Sequence, residues 1–267
     1  MSLPRMQPQD GVAWITGASS GIGEAVALEL ARRGWTVAIT ARRLEQLENI
    51  ARLSEGLPGR IVAHAGDVTQ TDSMHAVVDG IESVHGPIAL AFFNAGIAAR
   101  SDGDLLVDVA ALELALSVNT LGVARGIAAV AERMRPRKRG QIVVNASAAG
   151  FGGLPGVGVY GSSKAATIHL CEALKFDCDA LGIRLQLLNP GFIDTPMTQA
   201  NRFTMPFLLP IADAARRIVD GFERGGFEIT LPRRLSWFLK LANMLPYPAY
   251  FWLISAAAGR GRKGGRP

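Results

Sequence analysis

The chain reads as an α/β protein built on a parallel sheet, and three observations carry that reading. Short apolar runs of strand length alternate with stretches of helical composition from residue 12 to residue 231; seven such runs can be counted; and the first is joined to its helix by a glycine-rich turn. Alternation of this kind requires right-handed crossovers between parallel strands. Ligands in such sheets sit beyond the carboxyl ends of the strands. Gly17, Arg42, Asp67 and Asn94 all fall at strand ends, which assembles them on that edge.

Residues 12–16 are the first strand and lead into Gly17-Ala18-Ser19-Ser20-Gly21-Ile22-Gly23, after which 24–33 has helical composition. Strand, glycine turn and helix bring bare backbone N–H groups and a helix N-terminus to one point, where they can hold a pyrophosphate that side chains would obstruct. The spacing Gly-x-x-x-Gly-x-Gly differs from the commoner Gly-x-Gly-x-x-Gly fingerprint. Residues 35–40 are the second strand and 44–53 a helix, with Ala41-Arg42-Arg43 between them. An acid at that place accepts bonds from an adenosine 2′-hydroxyl, whereas arginine pairs with a 2′-phosphate. The absence of an acid favours NADP(H) over NAD(H); the blander alternative is that both arginines start a solvated helix.

A third strand over 60–64 is followed by Gly66-Asp67-Val68 and a helix over 72–84, and a fourth over 88–93 ends in Asn94-Ala95-Gly96. The long helical stretch 110–134 contains Asn119, a weak helix former at mid-helix. The very apolar strand 141–146 ends at Ser147, and a glycine-rich loop over 150–158 precedes a helix opened by Tyr160. Strand 183–188 leads to Asn189-Pro190-Gly191-Phe192-Ile193-Asp194-Thr195-Pro196-Met197. The bulky apolar residues Phe203, Met205, Phe207, Leu208 and Leu209 come next, then a helix over 212–224 and a seventh strand over 227–231.

Chemistry is concentrated in Tyr160-Gly161-Ser162-Ser163-Lys164. Residues four apart share a helix face, so the phenol of Tyr160 stands beside the ammonium of Lys164. A nearby cation favours phenolate and lowers a pKa of about 10 by on the order of one to three units. A phenol tuned in this way can give a proton to a carbonyl oxygen or take one from an alcohol. Such a pair is also common on ordinary surface helices, and a lone strand-end serine is more often structural. The context decides here: Ser147 at a strand end and Tyr160 at a helix start can meet at one carbonyl oxygen.

On these motifs the chain resembles the short-chain dehydrogenase/reductase family over nearly its whole length, from Val12 to Leu231. The resemblance implies a single Rossmann-type domain, a doubly wound parallel sheet of seven strands spanning 11–232, with an N-terminal tail over 1–10 and an apolar and basic extension over 233–267. It implies that Tyr160 is the general acid-base. Lys164 would lower its pKa and hold the nicotinamide ribose, Ser147 would orient the substrate oxygen, and Asn119 would anchor a water relaying protons to Lys164. The turn residues Gly17, Ser19, Ser20, Gly21, Ile22 and Gly23 would hold the pyrophosphate, and Arg42 the adenosine end. Asp67 and Val68 resemble adenine contacts, Asn94, Ala95 and Gly96 a cleft wall, and Pro190, Gly191, Ile193 and Thr195 nicotinamide contacts. One departure stands out: the family usually has asparagine where this chain has Phe93.

The bulk composition fits a globular oxidoreductase. With 267 residues, 49% hydrophobic and 19% charged, the chain can bury a large core without staples. Cys171 and Cys178, seven apart in a helix, read as buried thiols in a reducing compartment, and no histidine cluster suggests a metal. A net charge of +5 could suggest nucleic acid, but the basic clusters at 133–139 and in the last 28 residues lack interleaved aromatics. The first ten residues carry no apolar run, so the expected location is the cytoplasm.

The extension is the open question. Residues 241–259 carry no formal charge and approach the length of a membrane span, about 20 residues, yet Pro246 and Pro248 interrupt them. An interfacial segment on the inner face of a membrane, and a flap over the substrate mouth or onto a second subunit, fit the composition about equally. Both predict a large apolar substrate at a mouth lined by Phe203, Phe207 and tail aromatics. The expected activity is NADPH-dependent reduction of a lipophilic ketone, or the reverse oxidation, by a homodimer or tetramer. The alternative, a protein that senses NADP(H) without turnover, has no need for Ser147, Tyr160 and Lys164 together.

Overall fold

The computed structural model describes residues 3–99, 107–199, 205–224 and 226–262, the last three of these through their backbone only. Its elements follow one another as β1 (Val12–Thr16), α1 (Gly21–Arg32), β2 (Thr36–Ala41), α2 (Leu44–Arg52), β3 (Arg60–Ala65), α3 (Thr71–His85) and β4 (Ile88–Phe93). They continue as α4 (Val109–Leu116), α5 (Gly122–Arg137), β5 (Gly140–Asn145), α6 (Gly158–Ala180), β6 (Ile183–Pro190), α7 (Pro196–Gln199), α8 (Ile211–Arg224), β7 (Glu228–Leu231), α9 (Arg233–Asn243) and α10 (Tyr247–Arg262). The seven strands form one parallel sheet in the order β3-β2-β1-β4-β5-β6-β7. The order reverses between β1 and β4, and a crevice opens above their carboxyl ends at such a reversal.

Alternation within each strand sends side chains to two apolar layers. Ala13 and Ile15 of β1 join Val37 and Ile39 of β2 under α1, α2 and α8, while Val12 and Trp14 face the opposite layer under α3, α5 and α6. Strands buried on both faces must be nearly continuous apolar runs, which is why they were visible in the sequence. Phe93, the family departure, is accommodated by this packing. It is buried, meets Trp14 edge-on at 5.4 Å between centroids, and fills space that a Cβ on Gly126 would enter at 2.3 Å from Phe93 Cε1.

Several polar groups buried in the core are paired. Gln141 of β5 donates to Gln186 Oε1 at 2.7 Å and to the Phe222 carbonyl at 2.9 Å, and its own Oε1 accepts from Met6 N at 2.9 Å. Through that bond the segment before β1, including buried Met6, lies against the sheet. The basic run at 133–139 is largely neutralised by acids, with Arg133 on Asp79, Arg137 on Glu82 at 2.9 Å and Arg139 on Asp10 at 2.7 Å. Cys171 and Cys178 are free and buried, and burial pushes both thiols up, to about 12 and about 11.

Beyond β7, α9 and α10 form a helical hairpin broken at Met244–Pro246, so the uncharged stretch is two helices and not one span. Leu239, Ala242, Tyr250 and Ile254 pack with Ala148, Phe151 and Leu154 from the loop that follows Ser147. The Tyr250 hydroxyl donates to the Gly153 carbonyl at 2.8 Å.

Candidate active site

The cleft above the sheet reversal has a volume of about 400 Å³. Its walls bring together Gly17, Ser19, Ser20, Gly21, Ile22, Arg42, Asp67, Val68, Asn94, Ala95, Gly96, Ser147, Tyr160, Lys164, Pro190, Gly191, Ile193 and Thr195. Two residues of the expected set, Gly23 and Asn119, stand behind the wall and support it.

The glycine turn explains itself locally. Gly17 has φ +66°, in the left-handed region, and a Cβ there would lie 2.4 Å from Ala95 Cα. A Cβ on Gly23 would lie 2.5 Å from the Gly17 carbonyl oxygen and 2.6 Å from Asn94 Nδ2. Only bare backbone lets the β1–α1 turn approach the end of β4. Asn94 then stitches the two together, donating from Nδ2 to the Gly17 carbonyl at 3.0 Å. The N-cap residue Ser20 makes no capping bond with its side chain, so the first N–H groups of α1 open on the cleft beside Ser20, Gly21 and Ile22.

At the far end of the same crevice, Arg42 and Arg43 follow β2 and are both exposed. Asp67 accepts from the Thr69 backbone N–H at 2.9 Å and its hydroxyl at 2.8 Å. The backbone bond, with help from the hydroxyl, Arg42 and Arg125, holds the Asp67 carboxyl below the usual range despite some burial.

On the opposite side lie Ser147, Tyr160 and Lys164. Helix α6 begins at Gly158 and not at Tyr160, so Tyr160 sits in its first turn with the phenol facing the cleft. Ser147 and Tyr160 both line the cleft, and Ser147 is near enough to the phenol to oppose the rise that burial causes in its pKa. Lys164 is buried, its Nζ donating to the Asn145 carbonyl at 2.8 Å and lying 5.8 Å from the centroid of the Tyr160 ring.

The expected tuning of the phenol by Lys164 is therefore corrected in its balance. Burial raises the Tyr160 pKa, the neighbouring Ser147 opposes that rise, and the Lys164 ammonium lies 5.8 Å from the centre of the ring. Burial also lowers Lys164, to about 8. Both shifts favour the neutral form of each group, which is what withdrawal from water does to any charge.

Asn119 occupies a five-residue π-turn, Ser117–Leu121, set between α4 and α5. An extra residue in the helix lets its side chain leave the helical register, and such turns concentrate at functional sites. Its Oδ1 accepts from Ile97 N at 2.8 Å, and its Nδ2 donates to the Ile97 carbonyl at 3.0 Å and to Ser163 Oγ at 2.9 Å. Asn119 thereby fixes the cleft wall at Ile97 to the helix position just before Lys164. The Thr167 hydroxyl lies 2.9 Å from both the Asn119 and the Ser163 carbonyls and has one proton to give.

Sequence reading missed two further polar supports. Thr16 Oγ1 accepts from Asn94 N at 3.2 Å and Ala95 N at 3.3 Å. Asn145 donates from Nδ2 to Asn94 Oδ1 at 2.9 Å while its carbonyl takes Lys164, and its own Oδ1 is buried without a partner among the described residues. Both end strands that point at the cleft, and that position was the available signal. The expected mouth is corrected as well. Among the described residues the apolar lining of the cleft includes Ile97, Leu114, Val118, Ile193 and Met197; Phe207 and the tail aromatics are not part of it, and Phe203 lies outside the described residues.

A bare glycine turn, a helix N-terminus, two guanidinium groups and an acid-base pair along one crevice fit a nicotinamide dinucleotide. The fold and site thus define a dinucleotide-dependent oxidoreductase. A family model described as short chain dehydrogenase matches residues 11–205. An uncharacterized oxidoreductase of Myxococcus xanthus is 34% identical over 248 residues, covering 93% of this chain and 96% of its own length. The 11-beta-hydroxysteroid dehydrogenase 1A of Arabidopsis thaliana is 31% identical over 248 residues, covering 85% and 69%. An alcohol dehydrogenase from the archaeon Thermococcus sibiricus, solved with 5-hydroxy-NADP, superposes with a TM-score of 0.74 at 26% identity, covering 83% of this chain and 95% of its own. The chain belongs to the short-chain dehydrogenase/reductase family. It is an NAD(P)-dependent oxidoreductase acting on CH–OH and C=O groups; solved neighbours carry NADP in some cases and NAD in others.

Proposed function

We propose that the chain is an NADPH-dependent carbonyl reductase acting on a lipophilic ketone, such as a sterol, an oxo-lipid or a bulky ketone, with the reverse oxidation of a secondary alcohol by the same site. The observation that carries this is the meeting of Ser147, Tyr160 and Lys164 on one cleft whose lining also includes Ile97, Leu114, Val118, Ile193 and Met197. Bound along the crevice, the dinucleotide supplies hydride to the carbonyl carbon. Ser147 and Tyr160 hold the carbonyl oxygen from the start and meet the negative charge that develops on it. The Tyr160 hydroxyl gives up its proton to that oxygen, and burial keeps it protonated beforehand. Lys164, steadied by the Asn145 carbonyl, stabilises the phenolate left behind and takes the nicotinamide ribose. Asn119 would anchor a water that returns the proton through Lys164.

Arg42 and Arg43 support NADP(H) over NAD(H), since no acid at that place would repel a 2′-phosphate. The hydroxysteroid dehydrogenase relative and the aliphatic wall of Ile97, Leu114, Val118 and Ile193 support the lipophilic substrate. A homodimer or tetramer, the habit of the family, is the proposed assembly, and the cytoplasm its proposed location. The test is NADPH consumption against cyclic and straight-chain ketones graded by apolar size. Rates that rise with apolar size support the reading, and turnover confined to small polar carbonyls overturns the substrate class.

A further inference from the structure

The hairpin of α9 and α10 has two apolar faces, and the fold uses one. The inner face, with Leu239, Ala242, Tyr250 and Ile254, packs on the loop after Ser147. The outer face leaves Trp237 63%, Leu241 59%, Met244 80%, Tyr247 77%, Phe251 57% and Trp252 73% exposed. On α9 the exposed apolar positions 237, 238 and 241 recur at helical spacing, and on α10 the positions 247, 251 and 252 do the same, so each helix turns an apolar stripe outward. Scattered exposed apolar residues need no explanation, but six large ones on one short hairpin form a patch that marks an interaction site.

Charge says what covers it. From residue 232 to the end the sequence holds seven Lys and Arg, namely Arg233, Arg234, Lys240, Arg260, Arg262, Lys263 and Arg266, and no Asp or Glu. Lys240 is engaged by Glu228 and the face of Phe151, while Arg233 and Arg234 are exposed beside the apolar stripe. A second copy joined symmetrically through this face would set like charges against one another. An anionic lipid surface meets both features, accepting the aromatics at its headgroup boundary and the cations at its phosphates.

We propose that the outer face of the α9–α10 hairpin docks the enzyme on an anionic membrane surface, lying in the plane of the interface. The helices, of 11 and 16 residues, are held to the protein by their inner face and do not cross the bilayer. The one helical stretch long and apolar enough to span among the described residues, Val109–Arg137, is a core element, with Val123, Ile127, Val130 and Met134 packed under the sheet. Because the inner face rests on the loop after Ser147, docking places the membrane beside the active-site loop. That suits a lipophilic substrate, but the docking claim stands apart from the reductase reading.

The test reads binding and not turnover. Trp14 and Trp35 are buried whereas Trp237 and Trp252 are exposed, so the change in tryptophan emission on docking reports this face. The full chain is mixed with phosphatidylglycerol vesicles or phosphatidylcholine vesicles, and both emission and co-sedimentation are followed. The expected result is a blue shift and sedimentation with phosphatidylglycerol, at least about 10-fold weaker with phosphatidylcholine or in half-molar salt. A Trp237→Ser/Trp252→Ser/Met244→Ser variant should lose about 10-fold or more in sedimentation while keeping its circular dichroism and NADPH binding. Absence of binding to either vesicle overturns the proposal, as does equal binding to both. An oligomer in lipid-free solution that the same variant dissociates also overturns it, by assigning the face to a second copy.

Discussion

Replacing Arg42 by alanine removes one of the two guanidinium groups that follow β2 into the crevice. The side chain is exposed, so water screens its attraction for a 2′-phosphate, and the bond falls at the weak end of the charge-assisted range. That is about 1.5 kcal/mol, or roughly 10-fold in kcat/KM with NADPH. Asp67 adds to the loss, because its ionised carboxyl is then less compensated near the incoming phosphate. Removing Arg43 as well should bring the total to about 100-fold if each arginine contributes alike. NADH has no 2′-phosphate, so its kcat/KM should stay within about 3-fold in both variants. The assay is initial-rate absorbance with each cofactor at fixed ketone. An equal fall with NADH and NADPH, or a parent enzyme that prefers NADH, would refute the reasoning that these arginines read the phosphate.

Two further outcomes test the packing and the electrostatics. Gly126→Ala pushes a methyl into Phe93 and should cost about 1–3 kcal/mol, a fall in Tm of roughly 3–9 °C; in a Phe93→Leu background the same change should cost at least about 1 kcal/mol less, and an undiminished cost there would show that the contact is not the cause. Lys164 titrates near 8 in the folded chain against 10.5 free, so the unfolded chain binds more protons between those values and stability must rise with pH across that window. Relative to Lys164→Met, the parent without cofactor should therefore gain up to ~3 kcal/mol between pH 8 and 10.5 in thermal or urea melts, and a flat difference would contradict the burial of its charge.

How much of this was legible in the sequence follows from where information resides in such a fold. The inner strands, buried on both faces, had to be apolar runs, and the edge strands β3 and β7 follow from the alternation with helices, so all seven can be read to within a residue or two; the glycine turn is visible because no other residue type tolerates the approach of Ala95 to Gly17. Strand-end residues declared the site edge, which is how Asp67, Asn94 and Ser147 were found. Hidden from the sequence were the bonds that depend on three dimensions. Thr16 and Asn145 hold Asn94 from neighbouring strands, and nothing in their local spacing announces it. The π-turn at Asn119 is tied by its side chain to Ile97 and to Ser163 of α6, contacts that local propensity does not announce. The balance at Tyr160 was misjudged because charge proximity along a helix can be read from spacing, whereas burial cannot. The tail aromatics are expected at the mouth because composition shows apolarity but not direction; the structure turns Tyr250 inward to the loop and leaves Trp237, Phe238, Tyr247, Phe251 and Trp252 exposed.

The most direct test of the account follows the hydride itself. The parent and Tyr160→Phe are each incubated with NADPH deuterated at the reactive face of the nicotinamide and a bulky cyclic ketone, and the alcohol is analysed by mass spectrometry, with NADPH binding measured alongside. The account predicts one deuterium at the carbinol carbon of the parent's product and a rate at least about 100-fold lower in the variant at unchanged NADPH affinity. A variant that reduces the ketone as fast as the parent, or a parent that binds NADPH and transfers no deuterium to any carbonyl, would contradict it.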